Sequence, residues 1–177
     1  MPGLQDGLIT ARERVLNALL GIGRDDVLNG TLAEVSETSA SVLLAPMLAG
    51  ELASSMNALK AAGIDPTGRR VDYAALRTSD AYREYRAICA AQLRAFDPVT
   101  LATPAERLAF WINLYNALTI DAVIAFGVQS SVTEGRLGIV RFFRRAAYSV
   151  GGQRVSLDDM EHGILRANRG HPLVPGP

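Results

Sequence analysis

The chain has 177 residues, 49% hydrophobic and 20% charged, with 18 basic against 18 acidic side chains and no net charge. That length supports one domain with its own core, and the composition excludes a disordered chain. Charge balance gives no electrostatic basis for nucleic acid or an anionic membrane as partner. The lone cysteine, Cys89, excludes an intrachain disulfide and a cysteine-based zinc site.

The N-terminal residues lack the basic start and apolar run of a secretory signal. No stretch approaches about eighteen uninterrupted apolar residues, so no transmembrane helix is expected. A cytoplasmic location is the default expectation. Leu8, Val15, Leu16, Leu19 and Leu20 fall at helical spacing and predict a first helix ending at Gly21 and Gly23. Thr31 to Ala62 reads as a longer helical region that Pro46 kinks or divides. The turn cluster from Gly63 to Gly68 is the best internal boundary, separating an N-terminal helical region (1–66) from a second unit (67–177).

Val71 to Leu76 predicts a short helical entry. Asp80 is placed to cap a helix to about Phe96, whose Tyr82, Tyr85, Cys89, Leu93 and Phe96 share one face. Thr103-Pro-Ala-Glu106 is a capping box with proline at the first helical position. It opens a helix to about Phe126, stopped by Gly127. Its segment from Ala109 to Ile120 is apolar almost all the way round, which predicts a buried helix. Yet it carries Asn113 and Asn116, and buried amides need partners. Arg141 to Arg145 reads as a basic, aromatic strand or loop edge with two phenylalanines turned inward. A β-hairpin with Gly151 and Gly152 in its turn spans about 146–156. Ser156 and Asp159 form a second capping box, opening a helix to about Arg166. The proline-rich tail from His171 is not regular.

The central helix admits two readings. Glu106, Asn113 and Asn116 either cap the helix and tie loops to the core, or line a polar cleft. On the last helix, Glu161 lies near the apolar face and needs a partner, an Arg, an amide or a His. His162 is either a surface histidine beside acidic neighbours or a general base oriented by a carboxylate. His162 and His171 are nine apart with a proline after the second, which does not make a metal site. Cys89, in mid-helix on an apolar face, reads as a small buried hydrophobe and not as an activated nucleophile. No nucleophile elbow, Walker loop or dinucleotide fingerprint is present, and no cofactor is implied.

Three blocks, from Gly68 to Arg77, Glu106 to Ile124 and Phe142 to Arg166, resemble the family catalogued as domain of unknown function 547 in order and spacing. The resemblance spans roughly Gly68 to Asn168. It implies a bacterial or plant domain without a securely assigned activity; plant members carry it behind a coiled-coil segment that suggests interaction work. The matching positions of interest are Asp72, Tyr73, Trp111 and Tyr115 as ligand-binding candidates, and Asn113, Asn116, Glu161 and His162 as catalytic candidates. Family members continue into a segment with a histidine and two cysteines, which this sequence does not reach. The resemblance thus implies a domain incomplete at its C-terminus, with an unfinished core face that invites oligomer formation.

The expected fold is α+β and helix-dominated, with a buried central helix over about 104–126, a small antiparallel hairpin and an N-terminal helical region. The expected function is a binding or interaction module for a small molecule or protein. The alternative is a hydrolase- or transferase-like domain whose thiol nucleophile lies in the missing segment. In that version His162 acts as base and Asn113, Asn116 and Glu161 orient the reaction.

Overall fold

The computed structural model describes residues 14–30, 45–129, 131–132 and 138–165. It is helix-dominated α+β, built from α1 (Ala45–Gly63), α2 (Tyr73–Thr78), α3 (Asp80–Tyr85), α4 (Pro104–Ala125) and α5 (Gly138–Arg145), followed by β1 (Ala147–Val150) and β2 (Gln153–Ser156). A π-helical turn, Arg86–Ala90, continues α3, and another, Asp159–Leu165, follows β2. Helical turns over 14–19 lead into an irregular stretch over 20–30.

α4 is the central helix. α1 packs along it through Leu48, Leu52, Met56 and Leu59, which recur every three or four residues and are all buried. Pro46 is the second described residue of α1, so the expected kink or division of the 31–62 helix at Pro46 falls at the edge of the described residues. The upstream part of the expected long helix, 31–44, lies outside the described residues. The end of α1 lies so close to α2 that a Cβ on Gly63 would meet Leu76 Cγ at 2.3 Å.

Local signals explain most boundaries. Asp72 caps α2 by accepting from Ala75 N at 2.8 Å, and Ser79, not Asp80, caps α3 by accepting from Tyr82 N at 3.1 Å. Thr103 and Glu106 make both reciprocal bonds of the capping box, at 3.1 and 2.9 Å. Gly127, at φ 63°, follows the end of α4. The helix expected from Asp80 to about Phe96 runs without a break to Ala95, as α3, a π turn and a closing 3₁₀ turn at Leu93–Ala95, and Phe96 is extended.

β1 and β2 pair antiparallel, with Val150 opposite Gln153 across a two-residue turn. Both turn residues need positive φ, 56° at Gly151 and 76° at Gly152. The turn docks on the 3₁₀ segment: Gly151 N–H donates to Leu93 O at 3.0 Å and Gly152 N–H to Arg94 O at 2.9 Å. A side chain at Gly151 would strike Phe96 O at 2.8 Å.

The stretch Arg141 to Arg145 is helical, in α5, and not a strand or loop edge. Phe142 is buried and meets Phe126 edge-on at 5.9 Å, while Arg145 lies over the Phe126 ring at 4.9 Å. The α-helical spacing of Phe142 and Arg145 lets them bracket one ring. His171 and the proline-rich tail lie outside the described residues.

Candidate functional site

Charge in the middle of an apolar helix has to be satisfied from outside that helix. Asp121 is the one charged residue between Arg107 and Glu134, and it is 1% exposed. Its Oδ1 accepts from the Tyr82 hydroxyl at 2.5 Å. Its Oδ2 accepts from the Tyr148 hydroxyl at 2.6 Å and from Arg86 Nη1 at 2.6 Å. Tyr85 in turn donates to the Tyr148 oxygen at 2.8 Å. The carboxylate thus gathers α3, the first π turn and β1 onto α4. Burial, and then the Asp121 charge, push the Tyr82, Tyr85 and Tyr148 phenols above their ordinary range. Burial is the largest single influence on the Arg86 guanidinium and lowers it, but Asp121, Tyr148 and Tyr82 together outweigh it and the net shift is upward.

The opposite face of α4 is open over its first half. Leu108 and Ile112, one turn apart, are 41% and 43% exposed, and Asn116 continues the same stripe in solvent. The expectation of a helix buried on every side therefore fails for this half: an apolar residue can stay in water at modest cost. Asn113 is half-buried, and neither asparagine amide bonds to another described residue.

Tyr115 lies on one flank of this open face and donates to Glu161 Oε2 at 3.2 Å. A phenol is thus one partner of the half-buried Glu161. Asn113 is roughly 160° around the helix from Tyr115 and Asn116 roughly 100°. The amides and the Glu161 turn accordingly meet α4 from different directions. His162 is half-buried, with Nε2 4.0 Å from Asp158 Oδ1. Asp158 Oδ2 is held by Arg144 at 3.1 Å. Ser156 and Asp159 make the expected capping box, Ser156 N–H donating at 2.9 Å and Asp159 N–H at 3.2 Å.

The other candidates separate from this face. Trp111 is fully buried against Phe110, its ring 5.2 Å away and edge-on, and Nε1 has no partner among the described residues. Asp72 is engaged as a helix cap, and Tyr73 is half-buried, its phenol raised by that burial. Cys89 is buried, bonded to Ser55 Oγ at 3.4 Å, and burial pushes its thiol up to about 11. That is the reverse of what an attacking thiolate needs.

α4 is long and apolar enough to cross a membrane by composition, but half of its most apolar stretch is packed inside the fold, as in a core helix. Residues 99–176 match the model of the family described as protein of unknown function, DUF547. No curated protein and no solved structure matches the chain.

Proposed function

We propose that this chain, which matches the DUF547 family model over residues 99–176, is a binding module, and that the outer face of α4 is its contact surface for a polypeptide partner. The observation that carries the reading is the pair Leu108 and Ile112, left more than two-fifths exposed on a helix that is otherwise a core element. Covering the exposed parts of both side chains contributes on the order of 3 kcal/mol. Asn113 and Asn116 beside them offer a donor and an acceptor each, the complement of a peptide group. The face carries no charge between Arg107 and Asp121, which suits an apolar, amide-bearing partner better than a charged small molecule.

The test is selection from a displayed peptide library on the purified chain, followed by binding of the enriched peptides to a Leu108→Asp, Ile112→Asp double variant. Enriched peptides should carry paired apolar residues and lose at least tenfold in affinity on the variant, which keeps a wild-type circular dichroism spectrum. Peptides that bind both proteins alike, or no enrichment, would refute the proposal.

The Arg144–Asp158–His162 chain favours a second reading, in which His162 is an acid–base group oriented by Asp158. In that reading Glu161 stands beside it, Asn113 and Asn116 lie on another side of α4 and take no part, and the buried Cys89 is not the nucleophile. Diethylpyrocarbonate labelling of His162 should then change when Asp158→Asn removes the orienting charge; an unchanged rate argues against the pairing.

A further inference from the structure

The chain turns at Leu28 to Gly30 along the edge of β1 that β2 leaves open, and Asn29 fastens it there. Leu28 N–H donates to Ala147 O at 2.8 Å. Asn29 Oδ1 accepts from Ser149 N at 2.9 Å, and its two amide protons go to Ser149 O at 2.9 Å and Ala90 O at 3.0 Å. Arg86 Nη1 donates to Leu28 O at 2.6 Å and Arg94 Nη1 to Gly30 O. Asn29 is 6% exposed.

Of the six asparagines in the chain, Asn29 alone precedes a glycine. Glycine has no Cβ to shield its backbone nitrogen, so Gly30 N is the least hindered nucleophile that any of these carboxamides has beside it. In its attack the bond from Gly30 N to Asn29 Cγ forms and the Cγ–Nδ2 bond breaks. The Gly30 amide proton passes to solvent, and Nδ2 takes a proton from solvent and leaves as ammonia. Water then opens the resulting succinimide at either carbonyl, giving aspartate or isoaspartate at position 29. One water enters, one ammonia leaves, and nothing is oxidised or reduced.

The folded edge opposes this reaction. The succinimide has no Nδ2, so forming it in place forfeits both bonds to the Ser149 and Ala90 carbonyls. Neither product fits afterwards. Aspartate sets a buried carboxylate, an acceptor only, against those two carbonyls. Isoaspartate adds a methylene to the main chain and moves Gly30 O away from Arg94.

We propose that Asn29 is a self-modification site that works as a one-way latch. Docked on β1, the turn stays unreacted; each local opening exposes it to deamidation, after which the segment no longer docks. Every reacting group belongs to this chain, and water is the co-reactant. The proposal shares no residue with the α4 face and stands or falls separately from it.

The experiment keeps the full chain at mildly alkaline pH with and without guanidinium and follows residue 29 by peptide mass spectrometry in heavy-oxygen water. Asn29 should convert ahead of the other asparagines in denaturant, and at least tenfold more slowly in the native chain. Arg94→Ala frees Gly30 O but keeps Asn29 and Gly30, and should speed conversion in the folded chain at least threefold. Equal rates with and without denaturant, no preference for Asn29 in denaturant, or an unchanged rate in a folded Arg94→Ala chain each overturns the proposal. The wild-type comparison needs no variant to fold. Asn29→Asp, the reaction product, should lose at least tenfold in hydrogen-exchange protection at the Leu28 and Ser149 amides, and wild-type protection there overturns the latch.

Discussion

Replacing Asp121 with alanine removes one acceptor group and strands three donors. Tyr148 is fully buried, so its hydroxyl keeps the bond from Tyr85 but has nowhere to give its own proton. Tyr82 is half-buried and loses its 2.5 Å bond. The Arg86 side chain is 35% exposed and recovers part of its hydration. An orphaned buried donor costs about 1–3 kcal/mol, and breaking a buried ion pair from one side costs about 3–5 kcal/mol. With Arg86 partly rehydrated, the expected loss is about 3–5 kcal/mol, a large part of the roughly 5–15 kcal/mol that holds a typical domain. Guanidinium unfolding followed by far-ultraviolet circular dichroism measures it. Tyr148→Phe provides the check: in a double-mutant cycle the two changes should couple by at least about 0.5 kcal/mol, because they remove the same bond. A loss below about 1 kcal/mol for Asp121→Ala, or strict additivity with Tyr148→Phe, would show that the carboxylate is not the point where these elements are tied.

The tyrosines give a pH prediction. Burial, then the Asp121 charge, hold Tyr82, Tyr85 and Tyr148 above the ordinary phenol value of 10.0, so the folded chain keeps protons that the unfolded chain has lost. Their contribution is fully present below pH 10 and is lost as pH rises above it. Spectrophotometric titration should therefore show these phenols ionising together with loss of circular dichroism, and independent ionisation in a still-folded chain would contradict the network. Cys89, with its thiol raised from 9.0 to about 11, should react with Ellman's reagent at least about a hundredfold more slowly in the native chain than in denaturant near neutral pH, since only the thiolate attacks. Comparable rates would return Cys89 to consideration as a nucleophile.

What the sequence made legible was local. Thr103 and Glu106 lie three residues apart, as do Ser156 and Asp159, and each pair closes its own capping box. Gly151 and Gly152 specify a hairpin turn because few other residues tolerate φ values of 56° and 76° in succession. The first half of α4 was misread because periodicity records where apolar residues recur and not whether another element arrives to cover them. Leu108 and Ile112 look the same in sequence whether packed or open. The stretch 141–145 was misread for a related reason: two aromatic and three basic residues fit a strand edge as well as a helix turn, and the Phe126 ring that decides between them is distant in sequence.

Asp121 and Asn29 went unnoticed because nothing near them in the chain explains them. Asp121 did leave a trace, a solitary charge in a long apolar run, and that pattern should be read as a demand for donors from elsewhere. Asn29 left only the turn signal of an asparagine before a glycine, and the chain does turn there, but the groups its side chain satisfies are 61 and 120 positions away. Arg86 shows why such residues matter together. One Nη1 reaches Leu28 O and Asp121 Oδ2, each at 2.6 Å, linking the turn at residues 28–29 to the carboxylate inside α4. The same guanidinium therefore ties the N-terminal segment and the central helix to the π turn that carries it.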